Sequence, residues 1–109
     1  MMGPWALAIK DVAHMVSFVV RFKFSSEDRA EMSEAVRILA AESRREPGCI
    51  SYIPHHSEDD PNTIVIYEQY RDEHALTAHR ESPHFKKYAV GGLFQKMKER
   101  SMENLVALE

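Results

Sequence analysis

Six histidines stand among 109 residues: His14, His55, His56, His74, His79 and His84. Imidazole changes charge closer to neutral pH than any other side chain and is the commonest metal ligand, so both roles have to be weighed. His74, His79 and His84 are spaced by five. On one helix, five steps of ~100° leave side chains ~140° apart, so they do not converge. A zinc-binding helix uses i, i+4 spacing instead. His55 and His56 alternate to opposite faces of a strand. The spacing predicts no metal site. No glycine-rich loop precedes a helix either, and Gly91-Gly92 falls inside or after one, which predicts no nucleotide cofactor.

General-base chemistry is the stronger reading. His79 lies three residues after Leu76, on the helix side that must face a sheet. Glu68 and Tyr70 share one face of a strand, and His14 lies on the apolar face of another. If these faces coincide, His79, Tyr70 and Glu68 meet in one apolar interior. A histidine held there suits proton abstraction near neutral pH. The competing reading is a buried histidine bonded to a backbone carbonyl. Glu68 would either orient the histidine, as a carboxylate does in a triad, or sit at the rim. His14, Tyr52, His84 and Phe85 are the candidate substrate contacts. Cys49 reads as a small buried hydrophobe, because no histidine is next to it in sequence. Arg80, Lys86 and Lys87 could hold an anion or simply form a solvated helix face.

The elements that must position these groups follow from periodicity. Residues 12–24 alternate, with His14, Val16, Phe18, Val20, Phe22 and Phe24 on one face, and predict a strand. Ser25, with Asp28 three residues on, opens a helix whose apolar side is Met32, Ala35, Val36, Leu39, Ala40 and Ser43. Pro47-Gly48 ends it, with glycine accepting the chain reversal. A second strand covers 49–55, and Ser57 to Asn62 makes a turn. Thr63 to Tyr70 is a third strand, rich in β-branched and aromatic residues. Asp72 caps a second helix, Ser82-Pro83 interrupts it, and a further helix starts at Pro83 or His84. Met102 to Leu108 reads as a fourth strand.

The order β-α-β-β-α-β is the split βαβ plan of ferredoxin-like α+β domains. The third strand is apolar on both faces. One face takes the helices, and the other predicts a homodimer packed sheet against sheet. Residues 12–109 are expected to form a single domain, preceded by a non-core extension, residues 1–11, that carries Trp5. The extension lacks the charged start and long apolar run of a secretory signal, which predicts a cytoplasmic protein.

Composition excludes several classes. Net charge is −3, so no basic field exists to hold nucleic acid or an anionic membrane. One cysteine rules out an intramolecular disulfide and a multi-cysteine zinc site. No run approaches the ~20 apolar residues that span a bilayer.

At Glu46–Tyr52 (EPGCISY), Asp60–Asn62 (DPN) and Tyr67–Phe85 (YEQYRDEHALTAHRESPHF), the chain resembles the antibiotic biosynthesis monooxygenase family. The resemblance runs from about Val12 to Leu108 and implies a dimeric α+β barrel. Some members oxygenate aromatic quinols or phenols with dioxygen and neither metal nor flavin. Others isomerise a phosphorylated signal sugar, and others cleave haem. The haem-cleaving relatives use an Asn on the first strand, a Trp at the end of the third and a His in the last helix. Here the first strand has no Asn, Tyr70 stands at the Trp position and the His position falls near Ala89, which argues against haem cleavage.

The resulting expectation is a cofactor-independent monooxygenase of a small aromatic quinol or phenol. His79 is the base, with Tyr70 and Glu68 orienting substrate or base. Two alternatives stay open. One is an isomerase or tautomerase of a small keto compound, phosphorylated or not. The other is a non-enzymatic dimeric ligand-binding or stress protein.

Overall fold

The computed structural model describes residues 12–108; the expected extension carrying Trp5 lies outside them. Strand β1 is Val16–Lys23, helix α1 is Arg29–Ser43, and strands β2 and β3 are Cys49–His56 and Thr63–Tyr70. Helix α2 is Glu73–Glu81, a π-helix covers Phe85–Leu93, the short helix α3 is Phe94–Lys96, and strand β4 is Glu99–Leu105. The strands form one antiparallel sheet in the order β2-β3-β1-β4. This is the ferredoxin-like α+β arrangement the element order predicts.

Register decides what faces the helices. Phe18, Val20 and Phe22 pair with Glu68, Ile66 and Ile64, and Tyr52 pairs with Glu68. Paired residues share a face, and all seven are buried. Helix α1 covers this face with Met32, Val36, Leu39 and Ala40, and α2 adds Leu76 and His79. The opposite face carries Val19, Val65 and Tyr67, half-buried, beside Ile53, which is 45% exposed. Ile53, Tyr67 and Val19 run across three strands in register.

Side-chain hydrogen bonds mark the breaks: Asp72 caps its helix as the sequence suggests, whereas Ser25 does not cap α1, whose N-cap is Asp28 without a side-chain bond. Ser25 Oγ donates to Asp28 Oδ2 at 2.9 Å, although a 3-10 turn, Ser26–Asp28, precedes α1. Asp72 accepts from the Ala75 N–H at 2.8 Å and opens α2. Asp60 accepts from the Asn62 N–H and the Thr63 hydroxyl, closing the β2–β3 turn.

Four expectations need correction. Strand β1 starts at Val16, because the Met15 N–H bonds back to the Val12 carbonyl and closes a turn. His14 sits in that turn, exposed. Strand β4 starts earlier than its apolar residues suggest. The Lys98 N–H donates to the Lys23 carbonyl at 2.7 Å, and pairing with β1 begins from there. Backbone pairing sets this edge strand, and Val106 and Leu108 lie beyond it, 90% and 97% exposed. The last helix is wound mostly as a π-helix, where a Cβ on Gly91 would crowd the Lys86 carbonyl oxygen at 3.3 Å. Finally, no described glycine has positive φ. Gly48 is needed for space, because a Cβ there would collide with the Ala75 side chain. Its bare backbone lets α2 close onto the turn between α1 and β2.

Gly48→Ala should therefore push α2 outward and cost about 1–3 kcal/mol, the usual range for overpacking. Urea unfolding checks this; a midpoint equal to that of the unmodified protein would show that the close approach is not required.

Candidate active site

Two short segments meet at the end of the helix layer. Glu46 follows the last turn of α1, in the turn that leads through Pro47-Gly48 into β2. His79 sits in the last turn of α2 and His84 lies just past it. Ser82 is extended, with ψ 152°, so the chain bends between them. The bend is tied on both sides: Ser82 Oγ donates to the His79 carbonyl at 2.6 Å and accepts from the Phe85 N–H at 3.2 Å. Five-residue spacing diverges on one continuous helix. Across this break it converges.

Both histidines converge on Glu46. His79 Nδ1 lies 2.8 Å from Glu46 Oε2 and 3.1 Å from Oε1, and His84 Nε2 bonds the same Oε2. Burial alone would raise the Glu46 carboxyl, but hydrogen bonds from His79 and His84 and the charge of both rings outweigh it. The result is a carboxyl held below its ordinary 4.5. An ionised carboxylate only accepts. The ring nitrogens facing it must therefore carry the protons: Nδ1 of His79 and Nε2 of His84. A neutral His79 then has its lone pair on Nε2.

Nε2 points away from Glu46, toward Glu68, whose Oε1 is 3.8 Å distant. That gap is too long for a hydrogen bond. Glu68 instead accepts from the Tyr70 hydroxyl at 2.6 Å. Burial raises the Glu68 carboxyl, only partly offset by the Tyr70 hydrogen bond and the charges of His79 and Arg80. Burial, together with Glu68, also raises Tyr52 and Tyr70. Both phenols therefore stay protonated, and Tyr70 donates its proton to Glu68. Aromatic rings enclose the imidazole: Tyr70, Phe85 and Tyr52 have centroids 5.1, 5.2 and 5.8 Å away.

His79, Glu68, Tyr52 and Phe85 line a narrow inner cleft of about 40 Å³. It shares Arg80, Phe85, Phe94 and Arg100 with an outer hollow of about 410 Å³, which Met97 also lines. The inner cleft holds about one small group, since a cavity that takes benzene is about 150 Å³.

The expected site residues divide as follows. His79, Glu68, Tyr70, Tyr52, His84 and Phe85 are brought together, and His14 is not. The carboxylate that grips His79 is Glu46, where Glu68 or a backbone carbonyl had been the expected partners. His74 is exposed and stands apart. Lys86 and Lys87 are exposed and line neither the cleft nor the hollow, while Arg80 lines both. The Cys49 thiol is pushed up to about 11, first by burial and then by Glu46 and Glu68, which leaves it inert. Sequence reasoning missed Glu46 and Arg100. Glu46 carried two signals: it opens the EPGCISY segment of the resemblance, and an acid just past a helix C-terminus faces the negative end of the helix dipole, where it is disfavoured. Arg100 carried none.

Glu46, His79 and His84 also offer one ligand atom each within 4.8 Å of one another. Two imidazoles and a carboxylate are a donor set suited to a divalent transition metal. The helix argument against converging histidines therefore fails for His79 and His84, for the reason of the Ser82-Pro83 break. Among the described residues, no helix is long and apolar enough to cross a membrane.

The family model for antibiotic biosynthesis monooxygenase matches residues 15–90. Rv0793 of Mycobacterium tuberculosis is 33% identical over 73 residues, 67% of this chain and 71% of the relative. YcnE of Bacillus subtilis is 30% identical over 78 residues, 72% of this chain and 82% of the relative. Both carry the word monooxygenase in their names. The solved structure of Rv0793 superposes with TM-score 0.79 at 27% identity, covering 87% of this chain and 96% of that one. A Nitrosomonas europaea structure titled as an antibiotic biosynthesis monooxygenase gives TM-score 0.81 at 28% identity, covering 87% and 91%.

Glu68 makes a pH test available. Its folded carboxyl titrates above the ordinary 4.5, so ionisation costs the folded state more than the unfolded one. Below 4.5 both states are protonated and nothing is lost. As pH rises, stability falls until the raised value is passed, and the loss then persists. Glu68→Gln keeps an acceptor for Tyr70 without the charge. Its urea midpoint, relative to the unmodified protein, should therefore rise between pH 4 and pH 8. A pH-independent difference would mean that Glu68 bears no burial cost.

Proposed function

The chain belongs to the antibiotic biosynthesis monooxygenase family, and we propose that it oxidises a small phenol or quinol with dioxygen, using the protein's own base and no cofactor. One observation carries this reading. His79 is held through Nδ1 by an ionised carboxylate, while Nε2 is turned to an aromatic-lined cleft. Nε2 takes the phenolic proton. The ring becomes an electron-rich phenolate, which can itself reduce dioxygen. One oxygen atom bonds to the ring carbon and becomes a carbonyl. The other leaves as water with the phenolic hydrogen and the hydrogen displaced from that carbon. Tyr52 and Glu68 orient the hydroxyl end, and Tyr70, whose hydroxyl is committed to Glu68, positions that carboxyl. His84 and Glu46 are positioning residues that fix the His79 ring.

The same base without oxygen would serve an isomerase, so oxygen dependence separates the readings. Oxygen uptake with a quinol panel should be measured on chelator-treated, flavin-free protein. Turnover that persists unchanged without oxygen would overturn the oxygenase assignment. His79→Ala should lower turnover by about 10²–10⁴-fold, as loss of a general base does. It should cost only ~1–2 kcal/mol of stability. Full activity per folded molecule would remove His79 from the mechanism.

We also propose a homodimer through the open sheet face. Support comes from the in-register stripe of Ile53, Tyr67 and Val19, with Val65 beside it. An aspartate at Tyr67 or Val65 would bury an uncompensated charge at several kcal/mol and should shift the protein to monomer or aggregate. Analytical ultracentrifugation decides; a monomeric unmodified protein would overturn the interface.

A further inference from the structure

The outer hollow has chemistry that a neutral quinol does not use. Arg80, from the last turn of α2, and Arg100, from β4, reach it from different elements. Among the described residues, neither makes an ion pair within 4.0 Å. The acidic neighbours on β4 do not help Arg100. Glu99 and Glu103 pair with Lys23 and Val19 on the open face, whereas Arg100 pairs with Phe22 on the helix face. The Arg100 guanidinium is parked over the rings of Phe22 and Phe94, 5.8 and 5.9 Å from their centroids. Stacking holds a planar cation in place; its Nη2 makes one weak bond, to Met102 Sδ at 3.8 Å, and its other edge N–H groups have no oxygen acceptor among the described residues. Arg80 is close enough for its charge to act on Glu68 at the cleft floor.

Size then dictates orientation. The inner cleft of about 40 Å³ admits a hydroxyl-bearing edge, and the rest of a ligand must occupy the 410 Å³ hollow beside the two arginines. The polarity is therefore that of a two-ended ligand. Its proton-donating end meets His79 and Glu68, and its far end meets two cations flanked by Phe85 and Phe94. A carboxylate or phosphate is disfavoured at the inner position, which has room for one small group and is already lined by the buried carboxyl of Glu68.

We propose that Arg80 and Arg100 form an anion subsite, and that the substrate class is a phenol bearing a carboxylate or phosphate at the end remote from its reactive hydroxyl. The reactive end of this assignment rests on the proposed phenol oxidation; the subsite itself is a binding property and can be tested without turnover. Titration calorimetry should compare 4-hydroxyphenylacetate, its neutral methyl ester and 4-hydroxyphenyl phosphate on the unmodified full chain.

One charge-assisted hydrogen bond at an exposed site predicts about tenfold tighter binding of the acid than of the ester. Added salt should shrink that preference. Arg80→Gln and Arg100→Gln should each reduce it and together abolish it, so that acid and ester then bind alike. A tighter phosphate than carboxylate would identify the anion as phosphate, and the reverse as carboxylate. Equal affinity for acid and ester, binding of neither, or a preference that survives both substitutions would overturn the subsite. Acid preference without oxygen uptake would keep the subsite and reject the oxygenase. Oxygen uptake with no acid preference would do the opposite.

Discussion

The site depends on one carboxylate that two histidines keep ionised. Glu46 is only 15% exposed at its side chain, and burial alone would favour its neutral form. The N–H groups of His79 and His84 reverse that balance. The same contacts fix the imidazoles: an acceptor-only partner on Nδ1 leaves the lone pair of a neutral His79 on Nε2, where the cleft lies. Remove the charge and both the orientation and the tautomer of His79 lose their cause.

Several unrelated features serve that contact. Gly48 lacks a side chain, so α2 can close onto the turn that carries Glu46. Asp72 starts α2 at the residue that brings His79 to its last turn. Ser82 bends the chain and clamps both sides of the bend. The core packed on β1 and β3 supplies a rigid floor, with Tyr70 fully buried and its hydroxyl committed to Glu68. Glu68 is the costly member, buried without an ion pair in hydrogen-bond range. A carboxyl retained under that strain beside a candidate base fits a chemical role better than a stabilising one.

Local pattern made most of the fold legible. Two-residue alternation in Thr63–Tyr70 placed Ile64, Ile66, Glu68 and Tyr70 on one face, and the structure shows them buried together. Asp72 and Ser82-Pro83 marked the ends of α2 because caps and breaks are local chemistry. The rest depended on tertiary contact. His79 and His84 diverge on paper and meet only because the helix breaks between them. Glu46 belongs to a turn 33 residues away from His79, a distance at which periodicity says nothing. Strand β4 follows its backbone partner β1 rather than its own apolar residues. The π-helical winding at Phe85–Leu93 has no composition signal beyond Gly91-Gly92.

Glu46 fixes His79 with its proton on Nδ1 and its lone pair on Nε2. Two-bond nitrogen–hydrogen NMR of the ¹⁵N-labelled protein, with His79 assigned by its loss in His79→Ala, reads that tautomer directly at pH 8. A protonated Nδ1 and an unprotonated Nε2 are expected for His79, with this preference reduced in Glu46→Gln. A proton on Nε2 with Nδ1 bare, or a tautomer unchanged by Glu46→Gln, would contradict it.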